Sequence, residues 1–259
     1  MKEMNFAIDV GNTHIVLGIY STKKLEFSWR LSTDKAKTED EYFSKIHTLF
    51  SSVSIGVGQI SHAAISSVVP ELTRVFTHLF EKFFRQASFE IVNAYSDLEL
   101  EFPMEDPSFI GSDLIVNAYA AIKKYKTNCI ICDFGTATTI QLIGKNGHFF
   151  GTVIAPGILT STKNLFQSAS QLSNISLHNP TKILGTTTED ALLSGVLTGN
   201  TFMIDGFIKR IKKEYGNELE DFKTIATGGI SHLIAEQSTQ IDVVDKHLTL
   251  DGLNLICEK

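Results

Sequence analysis

The sequence predicts an α/β protein made of two related halves, each a mixed five-stranded sheet with flanking helices. Three observations predict this. An apolar run from Phe6 to Val10 ends in a turn containing Asp9, Gly11, Asn12 and Thr13, and a second apolar run leaves it towards Tyr20. The same plan returns at Cys129–Ile143, where Asp133, Gly135 and Thr136 separate two apolar runs. Two copies of one pattern in one chain mark a duplication, and 259 residues accommodate two domains of about 120 residues each. The expected boundary divides the chain into 1–117 and 118–259.

Each element follows from local chemistry. Phe6–Tyr20 reads as a hairpin, with Gly11 supplying an unusual φ and Asn12 tolerating it. Leu25–Leu31 is a third strand. Thr38 and Glu41 form a capping box that opens a helix over Tyr42–Ser52. His62–Val69 is a buried strand, and Pro70 sits in the first turn of a helix over Glu71–Arg85. There Leu72, Val75, Phe76, Leu79, Phe80 and Phe83 recur at helical spacing. Phe89–Val92 closes the first half in the order βββαβαβ. Asn93–Ile110 carries acids and prolines, and its length suits an active-site or partner loop.

A helix starts at Gly111 and Ser112, with Asp113 in its first turn. The second half repeats the plan with strands at Asn128–Asp133, Thr138–Ile143 and His148–Ile154, a turn at Ala155–Gly157 and a helix to about Ala169. A long helix follows over Glu189–Tyr215, then a strand at Lys223–Ala226, a helix from Ser231, a strand at Ile241–Val244 and a terminal helix over Leu248–Cys257.

A hairpin tip that exposes backbone N–H groups, a hydroxyl and a carboxylate suits a phosphate and its metal. The amides and Thr13 would donate to phosphate oxygens, and Asp9 would hold Mg²⁺ directly or through water. The same motif also serves as an ordinary tight turn, and it is the second copy that favours phosphate. If the halves face each other, two tips can grip one polyphosphate. A third signal, Thr224–Ser231, places Gly228 and Gly229 between a strand and a helix, where glycines allow a base or ribose to approach the backbone. The trio points to ATP.

Other residues stay open at this stage. Asp113 either complements a helix dipole or serves function. His14 either touches phosphate or faces solvent at a strand edge. Gly195 and Gly199, flanked by Ser194 and Thr198, give a helix face of small residues that suits intrachain packing or a homodimer seam.

Composition narrows the classes. Hydrophobic content of 43% and charged content of 20% describe a globular chain. A net charge of −6 argues against a nucleic-acid partner, and the best basic cluster, Lys209–Lys213, reads as a solvated helix end. The apolar stretch Ala191–Ile208 is interrupted by Gly, Ser, Thr, Asn and Asp and is not read as membrane-spanning. The chain enters its first strand without a leader, so the cytoplasm is the expected location. Of three cysteines, Cys129 and Cys132 fall on opposite faces of a strand and read as core thiols, not as a redox or metal pair.

With these residues assembled, the chain resembles the type III pantothenate kinases, members of the actin-like ATPase superfamily. The resemblance runs nearly end to end. It covers Asp9–Thr13, Leu31–Asp34, Thr38–Tyr42, Ser66–Pro70, Gly111–Asp113 with Asn117 and Ala118, and Asp133–Thr139. It continues with Ile154–Gly157, Thr188, Ser194 and Gly195, Ala226–Gly229 and Leu248–Leu253. It implies two RNase H-like domains and transfer of phosphate from ATP to pantothenate in a cytoplasmic homodimer.

The resemblance also implies roles. The turn Asp9, Val10, Gly11, Asn12, Thr13, His14, Ile15 and Val16 would hold ATP phosphates, with Thr136 also touching ATP. Asp113 would take the proton from pantothenate's primary hydroxyl, beside Gly111, Ser112 and Leu114. Asp133 would bind a monovalent cation, K⁺ or NH₄⁺, and Thr188 would reach pantothenate from the neighbouring subunit. The helix start under Asp113 would keep that carboxylate ionised.

Departures cluster on the acceptor side. The family usually has Arg after Gly-x-Asp, where this chain has Leu114, and a Tyr where it has Met104. Losing a guanidinium that pairs with the substrate carboxylate costs about 1.5–3 kcal/mol if nothing replaces it. Two alternatives follow: a kinase of this fold for another small alcohol, and a non-catalytic regulatory paralogue.

Overall fold

The computed structural model describes residues 3–162 and 176–259. Two compact units divide the chain. The first comprises Met1–Glu99, Met104–Ala120 and Leu248–Lys259, and the second Leu100–Pro103 and Ala121–His247.

In the first unit, β1 (Met4–Val10), β2 (His14–Ser21) and β3 (Lys24–Ser32) form an antiparallel meander. Next come α1 (Glu39–Ser52), β4 (Ile60–Ser67), α2 (Pro70–Phe83) and β5 (Ser88–Ile91). The sheet order is β3-β2-β1-β4-β5, with β4 parallel to β1 and β5 parallel to β4. Most β1 and β2 side chains are buried, as expected for strands covered on both faces.

The predicted local signals are present. Thr38 and Glu41 make the reciprocal capping box of α1, and Pro70 opens α2. Their apolar faces meet β1 in a core rich in phenylalanine. Phe6 lies edge-on to Phe50 at 5.2 Å and tilted to Phe80 at 6.0 Å, arrangements that add to simple burial. The chain passes into the second unit within α3 (Ser112–Tyr125).

The second unit repeats the topology. β6 (Asn128–Phe134), β7 (Ala137–Ile143) and β8 (Phe149–Pro156) form the meander, and β9 (Phe222–Gly228) and β10 (Val243–Val244) extend it in the order β10-β9-β6-β7-β8. β8 continues through Pro156, past the turn expected at Ala155. A helical turn begins at Ile158, and the remainder of the helix expected to Ala169 lies outside the described residues.

The long helix α4 (Thr188–Tyr215) is interrupted by a π-helical segment at Ser194–Thr198. By length and composition α4 could cross a membrane, yet half of its apolar window is buried within the structure. Leu193, Val196, Leu197, Ile204 and Ile208 pack in the core of the second unit, so α4 is a core helix there. α5 (Ser231–Gln237) follows β9.

The terminal helix α6 (Leu248–Cys257) departs from the sequence-based division. It joins the first unit, so the second does not run from 118 to 259. Its apolar face is buried there, and its polar residues find partners far back in the chain. Asn5 Nδ2 donates to Asn254 Oδ1 at 3.0 Å, Tyr20 Oη to Asp251 Oδ1 at 2.6 Å, and Thr249 Oγ1 to Asn117 Oδ1 at 2.7 Å. Gly252 allows the contact with α3, since a Cβ there would lie 2.7 Å from both Cγ1 and O of Val116.

Gly252→Ala therefore reverses the usual helix propensity gain. We expect about 1–3 kcal/mol of destabilisation from overpacking, read as a lowered midpoint in urea. An unchanged or raised midpoint would mean that α6 is not held against α3.

Candidate active site

The two hairpin tips occupy equivalent places. Asp9 is the next-to-last residue of β1 and Asp133 the next-to-last of β6. In register, Asp9 faces Val16 on β2 and Ser66 on β4, while Asp133 faces Thr139 on β7 and Thr227 on β9. Each carboxylate therefore stands at the end of a strand paired on both edges. Beyond them the tips are open: Asn12, Thr13 and His14 are exposed in one unit, and Gly135, Thr136 and Ala137 in the other.

Both tips are closed by their glycine's N–H, the second tip being one residue shorter. Gly11 N–H donates to His14 O at 2.9 Å, and Gly135 N–H to Ala137 O at 3.0 Å. Gly11 does not adopt the positive φ expected of it. A Cβ on it would make a tight contact, 3.1 Å from His14 O. Val10 and Ile15 are fully buried, so they offer a ligand only backbone. His14 is exposed at the start of β2.

Asp113 belongs to the first unit and stands in the first turn of α3. Ser112 pins that turn to the end of β4, with its Oγ 3.1 Å from Ser66 Oγ and accepting from Ser67 N–H at 2.8 Å. Ser66 is the register partner of Asp9, so the fold gathers Asp9, Ser112 and Asp113 at one end of one sheet. Gly111 makes room for the carboxyl group: a Cβ there would lie 2.4 Å from Asp113 Oδ1. Burial raises the Asp113 pKa, and the hydrogen bond from Leu114 N–H, 2.9 Å from Oδ1, pulls it part of the way back. The helix start favours the ionised carboxylate, and burial outweighs it in the direction of the shift. Leu114 is only 6% exposed, a packing position that suits an aliphatic side chain.

In the second unit the glycine platform meets the second tip. Gly228 has φ +91°, a backbone region that favours glycine, and a Cβ on it would lie 2.7 Å from Asp133 Oδ1 and from the Phe134 backbone. Gly157, at the end of β8, presses against the tip so closely that a Cβ would lie 2.1 Å from Thr136 O. Around Gly229 a Cβ would meet nothing within 4 Å, leaving that edge open among the described residues. Thr188 is exposed in the first turn of α4.

Ser66 and Gly157 are neighbours of the site that residue chemistry alone did not single out; both lie in the segments that carry the family resemblance. The cysteines stand apart from this chemistry. Cys129 and Cys132 are wholly buried, and burial pushes all three thiols up to about 12. Among the described residues no group of three or more His, Cys, Asp or Glu side chains could hold a metal ion.

Duplicated β-meander units with glycine tips and end-of-strand aspartates define the actin-like ATPase and sugar kinase class of fold. An inorganic polyphosphate/ATP-glucomannokinase from Arthrobacter sp. strain KM shares it, with a TM-score of 0.51 at 13% identity over 99% of this chain and 98% of that one. Sequence resolves the class further. The signature of the type III pantothenate kinases matches residues 5–210. Type III pantothenate kinases from Citrifermentans bemidjiense and Halalkalibacterium halodurans are 40% and 41% identical over 99% of this chain and 99% of theirs. The chain belongs to the type III pantothenate kinase family.

Gly228→Ala should damage the second tip, because it combines a strained φ with a backbone clash. We expect a stability loss of about 1–3 kcal/mol together with weaker ATP binding. Full stability and unchanged ATP affinity would contradict the contact between Gly228 and Asp133.

Proposed function

We infer that the protein transfers the γ-phosphoryl group of ATP to the primary hydroxyl of pantothenate, giving 4′-phosphopantothenate, the first step of coenzyme A synthesis. The observation that carries this reading is about 40% identity to pantothenate kinases over essentially the whole chain. Retention of Asp9, Asp113 and Asp133 at the ends of their elements supports it.

Phosphoryl transfer through a loose transition state calls for positioning and charge neutralisation more than covalent help. The tip Asp9–Val16 donates backbone amides and the Thr13 hydroxyl to phosphate oxygens, and Thr136 adds a second contact. Asp9, directly or through water, would hold the Mg²⁺ that accompanies ATP, and that ion would supply neutralisation of phosphate charge. Gly228 and Gly229 receive the adenosine. Asp133, beside the Gly228 backbone, is the carboxylate that would hold K⁺ or NH₄⁺.

Asp113 orients the pantothenate hydroxyl and accepts its proton as the oxygen bonds to the γ-phosphorus and ADP leaves. A pKa raised by burial makes it a better base than an ordinary aspartate. Gly111, Ser112 and Leu114 border the acceptor. Thr188 of a neighbouring subunit completes it in a homodimer. Ala191, Gly195, Gly199, Phe202 and Gly206 continue from Thr188 as one exposed face of α4. Phe202 is 60% exposed, and among the described residues a Cβ on any of those glycines would meet nothing within 4 Å. The enzyme would act in the cytoplasm, without a membrane or nucleic-acid partner. The buried Leu114, where the family resemblance implies an Arg, favours one second reading: a kinase of this fold for another small alcohol.

Asp113→Asn tests the assignment with two readouts of opposite sign. Pantothenate phosphorylation should be abolished while ATP binding stays close to wild type. Thermal stability should rise at pH values above the folded Asp113 pKa. The folded pKa lies above the unfolded one, so ionisation opposes folding as pH rises through that window, and Asn removes the cost. Equal loss of ATP affinity would show that the base is misplaced. For the seam, Gly199→Leu should convert a sedimenting dimer to monomer and depress turnover; a dimer that persists would place the interface elsewhere.

A further inference from the structure

Thr33 lies just beyond β3, in a segment with no part in the chemistry derived so far. Its side chain nevertheless reaches the first hairpin tip, twenty-two residues back in the chain. Thr33 Oγ1 donates to Gly11 O at 2.6 Å, and Thr33 N–H donates to Thr13 O at 3.0 Å. The two carbonyls on either side of Asn12 are thus held by one residue. The anchor itself is fixed: Tyr42 Oη donates to Asp34 O at 2.9 Å and accepts from Asp34 N–H at 3.0 Å. Tyr42 is fully buried and packs against Phe76 with ring centroids 5.3 Å apart.

In a trans peptide the C=O and the following N–H point in opposite directions. Holding Gly11 O turns Asn12 N–H away from Thr33, and holding Thr13 O does the same for His14 N–H. Asn12 N–H, so turned, can donate to an anion at the tip, while His14 N–H shares the side of His14 O and faces Gly11. The second unit has a counterpart. Thr160, in the helical turn after β8, donates from Oγ1 to Thr136 O at 3.1 Å. In each unit a threonine supplied after the third strand holds a carbonyl of that unit's tip.

We propose that Thr33 and Thr160 are positioning residues that latch the two hairpin tips with their amides directed to the nucleotide's phosphates, Thr33 acting from a segment anchored by Tyr42. This rests on the reading that the tips bind ATP. The latch predicts that the hydroxyl, rather than the bulk of the side chain, sets nucleotide affinity.

Calorimetric titration of the full-length protein with Mg-ATP, and separately with pantothenate, tests it. Thr33→Val should weaken Mg-ATP binding about tenfold with pantothenate affinity unchanged, and Thr33→Ser should restore it. Thr160→Val, measured independently, should weaken Mg-ATP binding in the same direction should Thr33→Val fold poorly. Folded Val variants at both positions with wild-type ATP affinity would overturn the proposal. So would equal weakening by Thr33→Ser and Thr33→Val. Asp9→Asn separates the two levels. If it weakens ATP binding while the threonine variants do not, the latch fails and the tip reading stands. If it too leaves ATP binding intact, the tip reading fails with it.

Discussion

The molecule depends on a central strand hydrogen-bonded along both edges in each unit, β1 between β2 and β4 and β6 between β7 and β9. Such a strand cannot slip, because a shift of one residue would turn its whole buried set to the opposite face. Fixing the register fixes the strand's end. Asp9 and Asp133 each occupy the next-to-last position, half-buried, with an exposed glycine turn beyond. In each unit a rigid, apolar scaffold thus ends abruptly in a carboxylate and a tight turn, the arrangement on which the proposed phosphate binding by an acidic protein rests. The sign of the bulk charge then matters little; the donors are local.

The start of α3 holds a carboxyl group where its charged form is disfavoured. Gly111 forgoes a Cβ that would meet Asp113 Oδ1, and the carboxyl is buried where its charged form is costly. Ser112 ties this turn to β4 through Ser66 and Ser67, so the segment is anchored by neutral hydroxyl groups rather than by a cation that would pull the aspartate's pKa down. Leu114 beside it is a buried aliphatic side chain and adds no charge. Leu114 and the raised aspartate pKa therefore belong to one turn of one helix.

Much of this was legible because it is local. The Asp-x-Gly tips, the Thr38–Glu41 capping box, the Pro70 helix start and the glycine platform at Gly228 are short patterns whose physics lies within a few residues. The losses are long-range. Nothing near Leu248–Cys257 indicates that it returns to β1 and α3, since its partners Asn5, Tyr20 and Asn117 lie more than a hundred residues away. The contact of Thr33 with Gly11 is hidden for the same reason. Gly11 carries no positive φ, and its closeness to His14 O comes from the folded tip. Burial at Asp113 depends on packing that a helix-start argument does not contain.

The most direct test of the whole account is steady-state phosphorylation of pantothenate by the purified protein with Mg-ATP, run in K⁺ and again in Na⁺ buffer. Turnover that yields 4′-phosphopantothenate in K⁺ and falls sharply in Na⁺ is the predicted result. It would join the tip chemistry, the Asp133 cation and the acceptor assignment in one reaction. Tight ATP binding without pantothenate turnover in either buffer would contradict the account and pass the acceptor to another small alcohol.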